Sequence, residues 1–350
     1  MRIMIKSERK TTGVTIVDVA EMAGVSTATA ARVMGNYGSV SEKTRKRVQD
    51  CARELSYVPN AIAKSMRMQH TKTIGMIIGD IQAPFFGKLV LEVEAYTSEK
   101  GYNLLVCNTN ERPERELMHL NSLFEHRVDG IAISSCMDAN AALPAEYQRI
   151  IDSDTPIIFF DRRVGQKRWP TIQCDNYKGS YEATKYLLSL GHRRIGVTAS
   201  NRSLSSMTER LAGFKAALAD HGLPFDPELV RFCEESHRLE VARAVIGDLL
   251  DTHPDITVLY QLNNPLYRAT WFELKSRGME IPRDISLLGW GGEELAEAWE
   301  ITTVTQPMKR LGRRIAEILF DMIENKTDYE GYFEQMDTKL VHRNSCAPIK

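Results

Sequence analysis

The residues whose types and spacing most clearly suggest a binding site lie between positions 15 and 67. Basic side chains alternate there with small polar ones. Arg32 precedes the basic run KTRKR at 43–47. Lysine and arginine neutralise nucleic-acid phosphates, and arginine also hydrogen-bonds to base edges. Residues 1–70 hold 12 of the 45 lysines and arginines but only 6 of the 46 acids, so the rest of the chain is acidic. The pattern favours phosphate contact, and chance clustering on a solvated helix face is the alternative.

Three short helices are predicted to position these side chains. Thr15, Ser26 and Ser41 are candidate N-caps, and Asp18 favours the N-terminus of the first helix. Gly24 permits a tight turn between the first two helices. The second helix is predicted to turn Ala30, Val33 and Met34 inward and Thr27, Ala28 and Arg32 outward. This arrangement indicates a helix-turn-helix, which lays its second helix in the DNA major groove, and an ordinary three-helix bundle is the alternative.

Residues 59–67, PNAIAKSMR, form an amphipathic segment that is too short to be a stable helix alone. Such a segment can become ordered on DNA or on a partner. Met66 lies between Lys64 and Arg67, which suits an apolar wedge in a minor-groove base step with cations on the neighbouring phosphates. A linker whose methionine packs on its own domain is the alternative.

From Thr71 onward, buried apolar runs alternate with helical stretches, which predicts α/β architecture with parallel, doubly wound sheets in two lobes. Ligands of such sheets bind outside the carboxyl ends of the strands. Helices are predicted at about 86–100, 114–126, 176–189, 207–221, 239–252 and 266–277. The sequence contains no G-x-G-x-x-G after an early strand, P-loop, nucleophile elbow or metal-binding helix motif, so we predict no enzyme, cofactor or metal site.

The length of 350 residues suits two or three domains, and 43% hydrophobic with 26% charged residues is ordinary for a globular protein. The six cysteines lack metal-binding or redox spacing, which indicates reduced thiols. No apolar run reaches the roughly 18 residues of a membrane span. The basic N-terminus has no apolar signal core. A cytoplasmic location is therefore predicted.

Three motifs in the first 67 residues resemble the LacI (lactose-repressor) family, with the purine and ribose repressor branches nearest in appearance. They are VTIVDVAEMAGVSTATAARV, VSEKTRKRV and YVPNAIAKSMR, and further similarity extends to near residue 345 through FDR, RLAGF and IPRDISLLGW. The resemblance implies a helix-turn-helix domain at 1–58, a hinge at 59–71, and an effector-binding and dimerisation body at 72–350. This body would resemble periplasmic sugar-binding proteins. Its first lobe would comprise about 72–174 and 306–336, and its second about 175–305 and 337–350.

The resemblance also implies base contacts by Thr27, Ala28 and Arg32, and a minor-groove wedge at Met66, where the family usually has leucine. The candidate DNA contacts are Thr15, Ser26, Thr27, Ala28, Thr29, Arg32, Lys43, Arg45, Asn60, Lys64, Met66 and Arg67. The candidate ligand contacts in a cleft between the lobes are Phe85, Phe86, Arg162, Ser205, Ser206, Arg210, Ser236, Asn264 and Trp290. Core packing is the alternative for one of the two phenylalanines, and a helix-start ion pair is the alternative for Arg210.

Two departures from the family pattern bear on the ligand. Ala83 stands where the family usually has Asn, and Asn264 stands where it usually has an Asp that clamps sugar hydroxyls. A cleft that keeps Arg162 and Arg210 while losing carboxylates is predicted to be more positive than usual. An anionic effector, such as a sugar phosphate or sugar acid, follows from that charge, and a neutral sugar is the alternative.

The sequence thus predicts a ligand-responsive homodimer that binds a near-palindromic DNA operator and represses carbohydrate-metabolism genes. A tetramer, an activator and either sense of effector action are left open. A transport-type binding protein, an enzyme with a DNA-binding head and a regulator with a degenerate pocket are the rival interpretations.

Overall fold

The computed structural model describes residues 14–58, 70–138, 142, 144–165 and 169–349. The chain divides into two compact units, a head that ends at Thr71 and a body that begins at Lys72. Across these described ranges, no helix is long and apolar enough to cross a membrane. The cysteines are free thiols, as predicted.

The head is built from three helices, α1 (Ile16–Ala23), α2 (Thr27–Met34) and α3 (Glu42–Glu54). Gly24 joins α1 to α2 with a φ of 58°, a left-handed conformation that glycine adopts without a steric penalty. The buried core consists of Val19, Ala20, Ala23, Ala30, Val33, Val48 and Ala52. Its alanines let the helices approach closely, and this mutual burial stabilises helices that are too short to persist alone.

The first lobe of the body is a six-stranded parallel sheet. In spatial order its strands are β11 (Phe333–Met336), β5 (Thr171–Cys174), β4 (Ile157–Phe160), β3 (Gly130–Ile133), β1 (Thr73–Ile78) and β2 (Asn103–Asn108). Its helices are α4 (Pro84–Glu99), α5 (Pro113–Glu125), α6 (Ala145–Asp152) and α12 (Met308–Glu324). The central strands read as continuous apolar runs because separate apolar clusters cover the two faces of the sheet.

The second lobe is another six-stranded sheet. In spatial order its strands are β12 (Lys339–Val341), β10 (Thr302–Thr305), β9 (Ser286–Trp290), β8 (Val258–Gln261), β6 (Ile195–Ala199) and β7 (Val230–Phe232). Its helices are α7 (Asn176–Ser189), α8 (Ser205–Asp220), α9 (Leu239–Thr252), α10 (Asn264–Ser276) and α11 (Glu293–Ala298). The predicted parallel order holds except at one edge, where β12 runs antiparallel to β10. This exception arises because the chain enters β12 directly from β11 of the first lobe, without a crossover helix.

The chain passes between the sheets after β5, after β10 and after β11. Residues that directly follow β1, β4, β6, β8 and β9 all line one cleft in the body. Parallel strands end at the same edge of a sheet, so two such edges supply this cleft with side chains.

Candidate functional site

The head presents the predicted outward face of α2 to solvent. Thr27, Ala28 and Arg32 are exposed, and so is Lys43 at the start of α3. The stem of Arg32 crosses Gly38, where an added Cβ atom would lie 3.3 Å from Arg32 Cδ. This contact supports the arginine stem while its guanidinium remains at the surface.

Several other candidate DNA contacts already have partners within the head. The Asp18 carboxylate accepts hydrogen bonds from the backbone N–H and the hydroxyl of Thr15, both at 2.7 Å. The Ser26 hydroxyl accepts from Thr29 N at 3.1 Å and contacts the Thr29 hydroxyl at 2.9 Å. These bonds satisfy N–H groups at helix starts, so Thr15, Ser26 and Thr29 have a structural role in capping whatever else they contact.

Arg45 is also engaged, since its Nη1 donates to Asn36 Oδ1 at 3.0 Å in the loop that follows α2. The remaining predicted contacts, Asn60, Lys64, Met66 and Arg67, lie outside the described residues.

In the body, a cleft of about 570 Å³ receives side chains from both lobes. Of the nine predicted ligand contacts, it is lined by Phe85, Phe86, Arg162, Ser206, Arg210, Ser236, Asn264 and Trp290. Ser205 is the exception: it is buried, and its hydroxyl accepts a 2.8 Å hydrogen bond from the backbone N–H of Arg163. Ser205 therefore joins the start of α8 in the second lobe to the turn after β4 in the first.

The first-lobe wall of the cleft centres on the buried Arg162. Its Nη1 and Nη2 donate to the two carboxylate oxygens of Glu111 at 2.6 and 2.8 Å, and its Nε lies 3.3 Å from Asp161. Nη1 also reaches the carbonyl of Ser135 at 3.3 Å. The prediction that Arg162 makes the cleft positive is therefore wrong, because two carboxylates compensate its charge.

Backbone conformation holds these carboxylates in place. Asn110, Glu111 and Asp161 have φ values of 51°, 57° and 64°, in the left-handed region that non-glycine residues seldom adopt. Such conformations persist where surrounding contacts determine them, and they are common at binding sites. Gly79 leaves the space that Glu111 needs, since an added Cβ there would lie 2.1 Å from Glu111 Oε1.

The charges at this wall perturb one another. Burial raises the pKa of Asp161, and the neighbouring guanidinium of Arg162 opposes that rise. Burial also tends to lower the pKa of Arg162, but the Glu111 and Asp161 carboxylates outweigh it and the net pKa is raised. Arg162 thus remains a cation whose function within the wall is to hold two acceptor groups toward the cleft.

The second-lobe wall is different, because its buried cation feels the charge of Asp161 but forms no direct ion pair among the described residues. Arg210 donates from Nε to Asn176 Oδ1 at 2.8 Å and from Nη1 to the carbonyl of Leu262 at 2.6 Å. Its guanidinium carbon lies 4.0 Å from the ring centroid of Trp290. Burial lowers the pKa of Arg210 to about 10. The predicted alternative of a helix-start ion pair is wrong for the described residues, where no carboxylate comes within 4.0 Å of this side chain.

Apolar contacts complete the cleft. The rings of Phe85 and Phe86 pack edge to face with centroids 5.0 Å apart at the N-terminus of α4. Phe86 is buried in the first-lobe core, while Phe85 is only partly buried against it. The alternative of core packing therefore applies to Phe86, and Phe85 has the freer ring.

Comparisons with known proteins follow the same two-part division. Residues 15–60 match the model of bacterial regulatory proteins of the lacI family, and residues 71–336 match that of periplasmic binding proteins and the sugar-binding domain of the LacI family. The HTH-type transcriptional repressor PurR of Aliivibrio salmonicida is 32% identical over 95% of this chain and 98% of its own length. The regulator DegA of Bacillus subtilis is 33% identical over 85% of this chain and 88% of its own.

Among solved structures, a complex of the transcriptional regulator CelR with cellobiose is 26% identical, with a TM-score of 0.70, over 95% of this chain and 99% of that one.

This chain belongs to the LacI family.

Family membership confirms the predicted fold class and the prediction of a ligand-responsive, DNA-binding transcriptional regulator. It also agrees with the prediction that the chain is not an enzyme, since its relatives are a transcriptional repressor and a transcriptional regulator. The roles of the individual site residues stay predictions.

Sequence reasoning missed several cleft residues of this LacI-family body. Glu111 lies in no motif and reaches the cleft only through two consecutive left-handed residues, for which the sequence carries no signal. Asp80 follows β1 directly, and the rule that ligands bind at carboxyl ends of strands could have found it. Gln306 is buried in the crossover after β10 and also lines the cleft.

Proposed function

We propose that this protein is a cytoplasmic, dimeric repressor that binds a near-palindromic operator through its heads and a carbohydrate-type effector in the body cleft. The observation that carries the effector site is the buried cation Arg210, which lines the cleft and has no carboxylate within salt-bridge distance in the described part of the chain. A buried charge of this kind is costly unless something pairs with it, so the site suits a ligand better than it suits a degenerate pocket. The cellobiose bound by CelR supports the carbohydrate class.

The head would read DNA through the exposed face of α2. Thr27 and Arg32 can hydrogen-bond to base edges, whereas Ala28 can offer only an apolar contact, for instance to a thymine methyl group. Lys43 on α3 would neutralise a phosphate. The two heads of a dimer would bind half-sites about one helical turn apart, or a multiple of it.

The cleft has a hydrogen-bonded route from the effector site to the contact between the lobes. Asn176, which accepts from Arg210, donates to Glu209 Oε2 at 3.3 Å, and Gln173 of the first lobe donates to the same oxygen at 2.8 Å. The other Glu209 oxygen pairs with Arg163 of the first lobe. A ligand that draws on Arg210 would therefore act on a network that joins both lobes.

We propose that effector binding closes the lobes and changes the first-lobe dimer face, and with it the spacing of the two hinge segments at 59–71. Coupling of this kind is reciprocal, so operator binding must change effector affinity by the same factor. A cytoplasmic location is supported by the repressor relatives and by the free thiols.

The DNA-binding proposal is tested by selecting operators from random duplexes with the full chain and measuring affinity by fluorescence anisotropy. Arg32→Ala should weaken the selected operator by about 1–3 kcal/mol and relax its sequence preference if Arg32 reads a base. Arg53→Ala, which removes an exposed cation near the end of α3, is the matched control. Equal operator affinity of the two variants would remove Arg32 from the interface.

The hinge proposal is tested with Met66→Ala, with Met68→Ala as the control for loss of a neighbouring methionine. A wedge contributes only where the base step is opened, so the Met66 variant should lose specific binding and keep non-specific binding. Equal loss of both kinds of binding would argue against the wedge.

A further inference from the structure

The unpaired hydrogen-bond donors of the cleft are concentrated around Arg210. A guanidinium has five N–H groups, and two of those on Arg210 are used, by Asn176 and Leu262. The remaining groups are on Nη2 and on the second position of Nη1, which together form the end of the fork. One face of the fork is covered by the indole ring of Trp290. Arg210 thus leaves N–H groups free on both of its Nη atoms, and a guanidinium can bind an oxyanion with two hydrogen bonds through such groups.

Neighbouring side chains add further donors, and the one carboxylate whose charge acts clearly on Arg210, Asp161, is not within 4.0 Å of it. Asn264 Nδ2, Trp290 Nε1 and Gln306 Nε2 are buried nitrogens without a hydrogen-bond partner. Asn264 and Gln306 meet at Gly291, where an added Cβ would lie 3.9 Å from Asn264 Nδ2 and 3.5 Å from Gln306 Oε1.

The opposite wall offers acceptors. Asp80, Glu111 and Asp161 line the first-lobe side. Arg162 donates hydrogen bonds to Glu111 and the Ser135 carbonyl and forms an ion pair with Asp161. Carboxylate oxygens accept hydrogen bonds from hydroxyl groups and repel an anion. The cleft is therefore polarised, with acceptors in the first lobe and donors with a buried cation in the second.

We infer that the effector is a polyhydroxylated molecule that carries one oxyanion group, as in a sugar acid or a sugar phosphate. The oxyanion binds the free end of the Arg210 fork with the Asn264 amide beside it, and the hydroxyl groups face Asp80, Glu111 and Asp161. The exposed rim acids Glu114, Glu234 and Glu235 are solvated and therefore act weakly on a group bound at Arg210. This inference rests on the proposed function, because it specifies the ligand of the same cleft.

The first test needs no knowledge of the natural effector. Melting of the full chain is followed in sodium acetate and in sodium phosphate, each against sodium chloride of equal ionic strength. Acetate, phosphate or both should raise the melting temperature above chloride at low salt concentration, where the general stabilisation of folded proteins by excluded anions is small. Melting temperatures equal to those in chloride for both anions would overturn the inference.

Variants that add a negative charge show where the anion binds. Asn264→Asp places a carboxylate in the cleft wall near the Arg210 donors, so it should reduce the rise in melting temperature caused by acetate or phosphate at least tenfold. Gln82→Glu adds the same charge at an exposed first-lobe residue outside the cleft lining and should leave the rise in melting temperature within twofold of the parent. Arg210→Lys keeps the charge but loses the paired N–H groups, so it provides a second readout and should lower the response at least threefold. If the rise in melting temperature is unchanged in Asn264→Asp and Arg210→Lys, the anion binds elsewhere and the assignment of the oxyanion to Arg210 is overturned.

Calorimetry then separates this inference from the proposed function. The probes are D-glucose, D-glucuronate and D-glucose 6-phosphate, and the corresponding galactose series. If a sugar acid or sugar phosphate binds at least tenfold more tightly than the neutral sugar of its series, both the proposed effector site and the oxyanion inference are supported. If a neutral hexose binds and the charged group does not increase the affinity, the cleft remains an effector site but the inference of an oxyanion on the effector is overturned.

Discussion

Replacement of Glu111 by glutamine tests whether the first-lobe wall is a built acceptor site. The glutamine would keep the shape of the side chain but bring an NH₂ group against the Nη atoms of Arg162, which are donors. Breaking a fully buried ion pair by removing one partner costs about 3–5 kcal/mol. The side chains of Arg162 and Glu111 are 9% and 24% exposed, and Arg162 keeps Asp161 and the Ser135 carbonyl. We therefore expect a smaller loss, about 2 kcal/mol.

This loss translates into a measurable change of melting temperature. For a unit as long as residues 72–350, an unfolding entropy of about 2 cal/mol/K per residue amounts to about 0.6 kcal/mol/K, so the expected decrease is about 3–4 °C. Differential scanning calorimetry of the full chain gives the value for the body transition. Glu234→Gln, which neutralises an exposed acid lining the same cleft, is the control and should stay within about 1 °C of the parent.

A double-mutant cycle identifies the cause. If Glu111 acts through Arg162, then Arg162→Gln and Glu111→Gln combined should destabilise the body by clearly less than the sum of the single changes. Two results would refute the view that the Glu111–Arg162 ion pair stabilises the first-lobe wall. One is a melting temperature of Glu111→Gln equal to that of Glu234→Gln, and the other is additive effects in the cycle.

Three further changes probe other parts of the chain. Ser26→Ala should cost about 1 kcal/mol of local stability by removing the cap of α2, seen as faster hydrogen exchange at the Thr29 amide, and slowed or unchanged exchange would contradict the cap. Gly79→Ala should cost at least as much body stability as Glu111→Gln, because the new methyl group displaces the Glu111 carboxylate, and a calorimetric melt equal to the parent would refute this. Burial lowers the pKa of His192 below its ordinary 6.5, so the stability it contributes is present above pH 6.5 and lost as pH falls through that value. His192→Gln should therefore show a smaller drop in melting temperature between pH 7.5 and 5.5 than the exposed-site control His237→Gln, and equal drops would exclude His192 as the cause.

Periodicity predicted six of the nine body helices that the structure describes, α4, α5 and α7 to α10, and did not predict α6, α11 or α12. Helices predicted at 176–189 and 239–252 coincide with α7 and α9. Those predicted at 86–100 and 114–126 begin earlier, at Pro84 and Pro113, because proline fits the first turn of a helix, where its missing N–H costs nothing. The last strands, β11 and β12, were not predicted, since they are short and partly exposed and lack the apolar run of a buried strand.

The candidate site could be located from the sequence but its electrostatics could not. Motifs placed Arg162 and Arg210 in one cleft, and the structure brings both to it. Their charges are visible in the sequence, but their partners are not. Glu111 lies 51 residues from Arg162 along the chain, and only the juxtaposition of β1, β4 and the loop before α5 brings it within 2.6 Å.

The sequence by itself determined most of the buried strands and long helices and the family to which the chain belongs, because helix caps, apolar periodicity and motifs are local properties of consecutive residues. The tertiary structure alone decided which charges are compensated. Pairing energy depends on distance and burial, and both are set by residues remote in the chain. That is why two arginines that look equivalent in sequence differ in the fold: Arg162 is held between two carboxylates, while Arg210 presents a free pair of donors to the cleft.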